Sequence, residues 1–278
     1  MKTSLLLIMA LTLASCGGAT YEETRSQQSS ATKNETAATN NETAAQKTEQ
    51  PAAPKKETPA ALAANNWKSG RVVSQAEIDV TGIDNCFVAE EISDEVFARM
   101  KGKSWPDNCT LHRSDLRHIR VLHCNADGKP QMGELVVNKK IADKILRIFR
   151  QLYDNNYRIE KMHLVDDYNA NDDASMADNN TSAFNFRFVP GTRNLSRHSY
   201  GLAIDVNPLY NPYIPYHNGK QVVMPPNGEP YAFHRDTAQF PYKIDLNDLA
   251  YQLFRKEGFN WGGTWPKSKD YQHFQWVE

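Results

Sequence analysis

The sequence predicts an α+β domain, a small antiparallel sheet with helices packed on it, and three stretches carry that expectation. In the first, Ile119 and Val121 alternate with His118 and Arg120, the two-residue period of a half-buried strand. Asp127 and Gly128 then mark a turn, and the run from Glu134 to Val137 reads as the returning strand of a hairpin. Next, Ile141, Ile145, Ile148, Phe149 and Leu152 recur at helical spacing behind Asn138, the expected cap. A second helix is expected to start at Asp245, to bury Leu246, Leu249, Leu253 and Phe254, and to stop at Gly258. Both apolar stripes read as core, not as the lining of a cofactor site.

Ahead of this domain the chain carries an address. Lys2 is followed by an apolar run from Leu5 to Leu13 and then by Ala14, Ser15, Cys16 and Gly17. A short basic start, a short apolar core and a small-residue cleavage site describe a signal peptide over residues 1–15, too short to span a bilayer. The cysteine at the cut resembles the bacterial lipobox. That resemblance implies cleavage before Cys16, lipidation of Cys16, and an exported lipoprotein held to a membrane of the cell envelope by acyl chains. Residues 16–66 hold almost no large apolar side chain and repeat Asn-Glu-Thr-Ala-Ala at 34–38 and 41–45. Such a segment buries too little surface to offset its chain entropy, so a solvated tether is expected. From Trp67 the aromatic content rises abruptly, and residues 67–278 are expected to form one domain.

A formal net charge of −1 argues against nucleic-acid binding through phosphate neutralisation. Besides Cys16 there are Cys86, Cys109 and Cys124; export permits a disulfide, the pairing stays open, and no CxxC spacing suggests a thiolate zinc knuckle. Between Ile204 and Lys243 the chain has Pro208, Pro212, Pro215, Pro225, Pro226, Pro230 and Pro241, which forbid a long helix or a central strand. A long irregular insertion of this kind often forms a wall or lid of a cleft. Asp166, Asp167, Asp172, Asp173 and Asp178 crowd one Asn-rich stretch, expected to be a solvated loop because the glycine and glutamate of an EF-hand are missing. Trp261, Trp265 and Trp276 are expected in the core.

The chemistry concentrates in two segments. Ser196, His198, Gly201, Ala203 and Asp205 form the first; Asp270 and His273 form the second. In an extended segment Ala203 and Asp205 project from one face, and Gly201 permits a bend that is expected to bring His198 round to it. Two imidazoles and one carboxylate, with a water in the fourth position, are a common catalytic zinc set. A zinc hydrolase also needs a group that takes and returns a proton, for which Asp270 is the candidate. It needs a cation to offset charge on the scissile carbonyl oxygen; Arg187 is the candidate, ahead of Arg193 and Arg197. The chain has eight histidines. His112, His118, His123, His163, His217 and His234 read as structural or surface residues, and HExxH is absent.

The combination resembles a known family. Ser-x-His-x-x-Gly-x-Ala-x-Asp followed far downstream by Asp-x-x-His is similar to the D-alanyl-D-alanine carboxypeptidase (VanY-type) zinc peptidases, and within them to the L-alanyl-D-glutamate endopeptidases of phage endolysins. The resemblance covers roughly residues 95 to 278 and implies a zinc-peptidase fold of the VanY/hedgehog type. It implies that His198, Asp205 and His273 bind Zn2+, that Asp270 is the general base, and that Arg187 steadies the substrate carbonyl. Ser196 matches a substrate-contacting position. Asp at 270 follows the endopeptidase branch, where the carboxypeptidase types often have Glu. The expected substrate is the peptidoglycan stem peptide; the alternative is a non-catalytic wall-binding lipoprotein that keeps the peptidase scaffold.

Overall fold

The structure, a computed structural model, describes residues 61–63 and 66–277. The signal segment, Cys16 and nearly all of the tether lie outside the described residues. Ser74 opens α1 (Gln75–Thr81) through a capping box with Glu77. After β1 (Val88–Glu91), Ser93 caps α2 (Asp94–Met100). The expected hairpin follows as β2 (Leu116–Cys124) and β3 (Pro130–Asn138), in register from Leu116 against Asn138 to Cys124 against Pro130. β1 adds antiparallel to β2, giving the order β1-β2-β3.

One face of this sheet carries Ile119, Val121, Leu135 and Val137 against Ile145, Ile148, Phe149 and Leu152 of α3 (Ala142–Asp154), as the helical spacing predicted. The other face departs from expectation. A half-buried strand was predicted, yet His118 and Arg120 are buried. Two carboxylates explain how: Glu134 receives Arg99 at 2.6 and 3.0 Å, His118 Nε2 at 2.9 Å and Ser69 Oγ at 2.9 Å, and Glu90 receives Arg120 at 2.8 and 3.1 Å. A charge so paired tolerates burial, so polar alternation here does not mean solvent. Asn138 also corrects its predicted role. It ends β3, its side chain engages Lys140 N and Tyr200 O, and α3 begins after Ile141 with no side-chain cap.

The remaining elements frame a second sheet. α4 (Asp172–Ala177) precedes β4 (Ala203–Asp205), and the proline-rich stretch holds the two-residue strands β5 (Tyr213–Ile214), β6 (Tyr216–His217) and β7 (Lys220–Gln221) and a 3-10 helix, Pro226–Tyr231. Then come α5 (Leu249–Lys256), β8 (Phe259–Trp261), β9 (Lys269–Asp270) and β10 (His273–Trp276). α5 starts later than predicted. Asp248, not Asp245, is the cap, accepting from Ala250 N and Tyr251 N, and Leu246 is left 57% exposed. The antiparallel order is β4-β10-β8, and Phe274 stacks on Phe254 with centroids 4.3 Å apart. Ile204, Phe254, Phe259 and Phe274 join the same core as α3. The α+β class with small antiparallel sheets therefore holds. Among the described residues no helix is long and apolar enough to cross a membrane.

Candidate active site

The register of the second sheet assembles the site. His273 of β10 lies directly opposite Asp205 of β4, and Phe274 opposite Ile204. Strand alternation then turns Phe274 and Ile204 into the core and leaves His273 and Asp205 together on the other face. His198 arrives from a 3-10 turn, Arg197–Tyr200, whose first N–H groups are met by Ser196 Oγ, 3.3 Å from His198 N. Gly201 ends the turn at φ +64° and packs so closely on β3 that a Cβ would lie 2.6 Å from Asn138 N. Only glycine suits both the conformation and the approach. The bend expected at Gly201 is present.

The three side chains meet as a triangle. His198 Nε2 is 3.1 Å from His273 Nδ1 and 3.1 Å from an Asp205 oxygen; His273 Nδ1 is 2.9 Å from the other Asp205 oxygen. Among the described residues this is the one such group of candidate metal ligands. Tetrahedral ligands at 2.0–2.1 Å from zinc stand about 3.3 Å apart, so these residues fit the ion with shifts of a few tenths of an ångström. The hydrogen bonds behind the triangle select the right nitrogens. Nδ1 of His198 donates to Ala183 O at 2.6 Å, which leaves Nε2 bare. His273 is turned the opposite way: Nε2 donates to Gln275 Oε1 at 3.1 Å and leaves Nδ1 bare. Outer partners of this kind set tautomer and orientation in metal sites.

Asp270 stands beside the triangle. Its Oδ1 is buried without a hydrogen-bond partner among the described residues. Burial is the main cause that pushes its carboxyl up to about 7, opposed by the nearby His273. Gly262 backs it tightly: a Cβ there would lie 2.6 Å from Asp270 O and 2.7 Å from its Cβ. Arg187 is tied to the turn that carries His198. Ser199 Oγ accepts from Arg187 N at 2.8 Å and donates to Arg187 O at 2.6 Å, and the guanidinium forms an ion pair with Asp172.

These groups line one cavity of about 590 Å3, which includes His198, Asp205, His273, Asp270, Arg187 and Ser196. Every sequence-predicted site residue within the described chain is thus brought together. Arg197 also borders the cavity, whereas Arg193 does not. Trp265 departs from the core expectation: it lines the cavity with its ring 5.5 Å from that of His273, while Trp261 is buried and Trp276 packs against the core. The proline-rich stretch contributes Tyr213 and Met224, the predicted wall.

The acidic stretch is only in part the solvated loop that was predicted. Asp166 is buried and accepts from Ser104 N at 3.0 Å, Asp178 pairs with Lys161 and Tyr168, and Asp172 starts α4 and pairs with Arg187. Asp172 has a cation partner that lets it be partly buried, whereas Asp167, Asp173 and Asp178 remain exposed as expected. Cys86, Cys109 and Cys124 are free thiols in the structure. The sequence reading missed Asp172, Gln275, Gly262 and the Ala183 carbonyl. Gln275 was within reach, since two residues along a strand return to one face; the other three carry no local signal.

Comparison with known proteins bears on the same segment. The family model described as D-alanyl-D-alanine carboxypeptidase matches residues 190–276. That stretch, similar to a peptidase family, contains Ser196, His198, Asp205, Asp270 and His273 and begins just after Arg187. No curated protein and no solved structure matches the chain.

Proposed function

We propose that this protein is a zinc-dependent peptidase that hydrolyses an amide bond of the peptidoglycan stem peptide, of the D-Ala-D-Ala carboxypeptidase or L-Ala-D-Glu endopeptidase type. The observation that carries the reading is the triangle of His198, Asp205 and His273, with both imidazole tautomers held correctly, in a cavity that also contains a carboxylate, Asp270, with a buried oxygen that has no hydrogen-bond partner among the described residues. His198 Nε2, His273 Nδ1 and Asp205 would hold the ion. When bound, zinc supplies a Lewis acid that polarises a carbonyl and acidifies a water. Asp270 takes the proton of the attacking water at its carboxylate and returns it to the leaving amine. Its raised affinity for a proton suits both halves of that task. Arg187, oriented by Asp172 and by Ser199, offsets negative charge on the carbonyl oxygen. Ser196 borders the cavity where substrate would lie.

The presence of Asp270 favours catalysis over a wall-binding scaffold, which has no use for a buried carboxylate oxygen left without a partner beside the ligand triangle. The reading extends to location: an exported bacterial lipoprotein anchored through Cys16 would hold this domain near the wall. The test is direct. The purified protein should carry one zinc per chain and cleave wall stem peptides, the fragments being identified by mass spectrometry, and chelation should abolish cleavage. Full activity in a metal-free preparation would sink the mechanism.

A further inference from the structure

Next to the catalytic cavity lies a larger one of about 890 Å3. Pro190, Tyr213 and Met224 line both, so the two adjoin. The proline-rich stretch builds much of the second wall and is fastened to the catalytic segment: Tyr213 of β5 pairs with Asp270 of β9. Tyr213 and Met224 also exchange backbone hydrogen bonds at 2.8 and 2.9 Å. Along the outer rim, Tyr216 is 55% exposed and Val222 40% exposed. With Tyr213, Pro215 and Met224 they give the cavity a largely apolar and aromatic wall, the kind that lines ligand clefts.

The charge of the two cavities differs. Asp172, Asp173, Asp205 and Asp270 border the first. No carboxylate borders the second, whereas Lys267 and His217 do. Lys267 is exposed, and no carboxylate lies beside it in the cavity lining. An exposed ammonium without a carboxylate neighbour, beside apolar and aromatic walls, fits a peptide that carries a free carboxylate. Size points the same way. Pockets that bury a small ligand span roughly 300–1,000 Å3, so the catalytic cavity alone suffices for a terminal dipeptide. A second chamber of similar scale serves a longer chain.

We infer that the second cavity is a subsite for the part of an acidic peptide that continues past the cleaved bond. The favoured substrate is then an extended stem peptide, not a short terminal fragment. This rests on the peptidase reading above. Tyr216 and Lys267 are the residues to change, because neither lines the catalytic cavity.

The experiment uses the zinc-loaded full chain, a stem pentapeptide, and a set of di- and tripeptides that together cover each of its bonds. Wild type should cleave the pentapeptide with kcat/KM at least tenfold above the best short peptide. Tyr216→Ala and Lys267→Ala should each raise KM for the pentapeptide about five- to tenfold, leaving its kcat and the short-peptide kinetics unchanged. Lys267→Arg should restore the wild-type KM. Equal kcat/KM for long and short peptides, or variants that affect both alike, would overturn the subsite while leaving the peptidase standing. Wild type that cleaves no peptide in the set would overturn the peptidase reading and the subsite with it.

Discussion

Asp270→Asn should make the metal-free protein more stable and the zinc-loaded enzyme far slower. Burial raises the Asp270 carboxyl from 3.8 to about 7. A folded-state value above the unfolded one means that ionisation opposes folding: the penalty is absent below pH 3.8, grows through the interval, and reaches its plateau above about 7. Roughly three pH units at about 1.4 kcal/mol each set an upper bound near 4 kcal/mol. Asparagine keeps the shape and removes the charge. For a domain of this size each kcal/mol moves Tm by about 2–4 °C, so chelator-treated Asp270→Asn should melt several degrees above wild type at pH 8 and no higher at pH 4. Loss of the proton acceptor should lower turnover by about 10²–10⁴-fold with zinc content unchanged. Calorimetry of the metal-free pair at the two pH values, with metal analysis and rates on a stem peptide, decides the matter. A fully zinc-loaded Asp270→Asn with wild-type turnover would falsify the general-base assignment. A lower Tm at pH 8 would refute the claim that the carboxylate is held at a cost to the fold.

Three further expectations follow from separate features. Gln275→Leu removes the acceptor that fixes the His273 tautomer, so zinc affinity should fall about 10–100-fold by competitive chelation, with little change in the metal-free melting temperature. The Glu134 carboxyl is opposed by burial yet held at about 2 by His118 and Arg99; its stabilisation is full above pH 4.5 and lost as pH falls toward 2, about 3 kcal/mol in all. Urea midpoints against pH should show that loss in wild type, and Glu134→Gln should lack it. Cys16→Ala should abolish fatty-acid labelling and membrane partitioning in a bacterial host; a labelled, membrane-bound mutant would refute the lipobox reading.

Local patterns reached the elements whose neighbours lie close along the chain. The period of β2, the turn at Gly128 and the stripe of α3 all act over a few residues, so composition and spacing suffice to read them. Helix starts were less legible. Asn138 and Asp245 both have good capping chemistry, but Asn138 is claimed by Tyr200 O across the fold, and Asp248 takes the cap ahead of α5. The buried face of β2 was misread for the same reason, since Glu134, Arg99 and Ser69 converge on it from separate segments.

The candidate ligands His198, Asp205 and His273, and the candidate base Asp270, could be picked out by residue type and spacing, because metal-hydrolase chemistry constrains which side chains can serve. Their meeting point could not. It depends on β10 pairing with β4 in the one register that sets His273 opposite Asp205, and a shift of one residue would turn His273 into the core. The same holds for Asp172 beside Arg187, Trp265 on the cavity wall, and the two adjoining chambers built by the proline-rich stretch. The sequence alone therefore determined which chemistry the chain can carry and where its regular elements run. Tertiary structure decided which nitrogen of each histidine faces Asp205, which acid pairs with the arginine, and how far the cleft extends. Those outcomes follow from strand register and burial, which are settled by contacts between residues far apart along the chain.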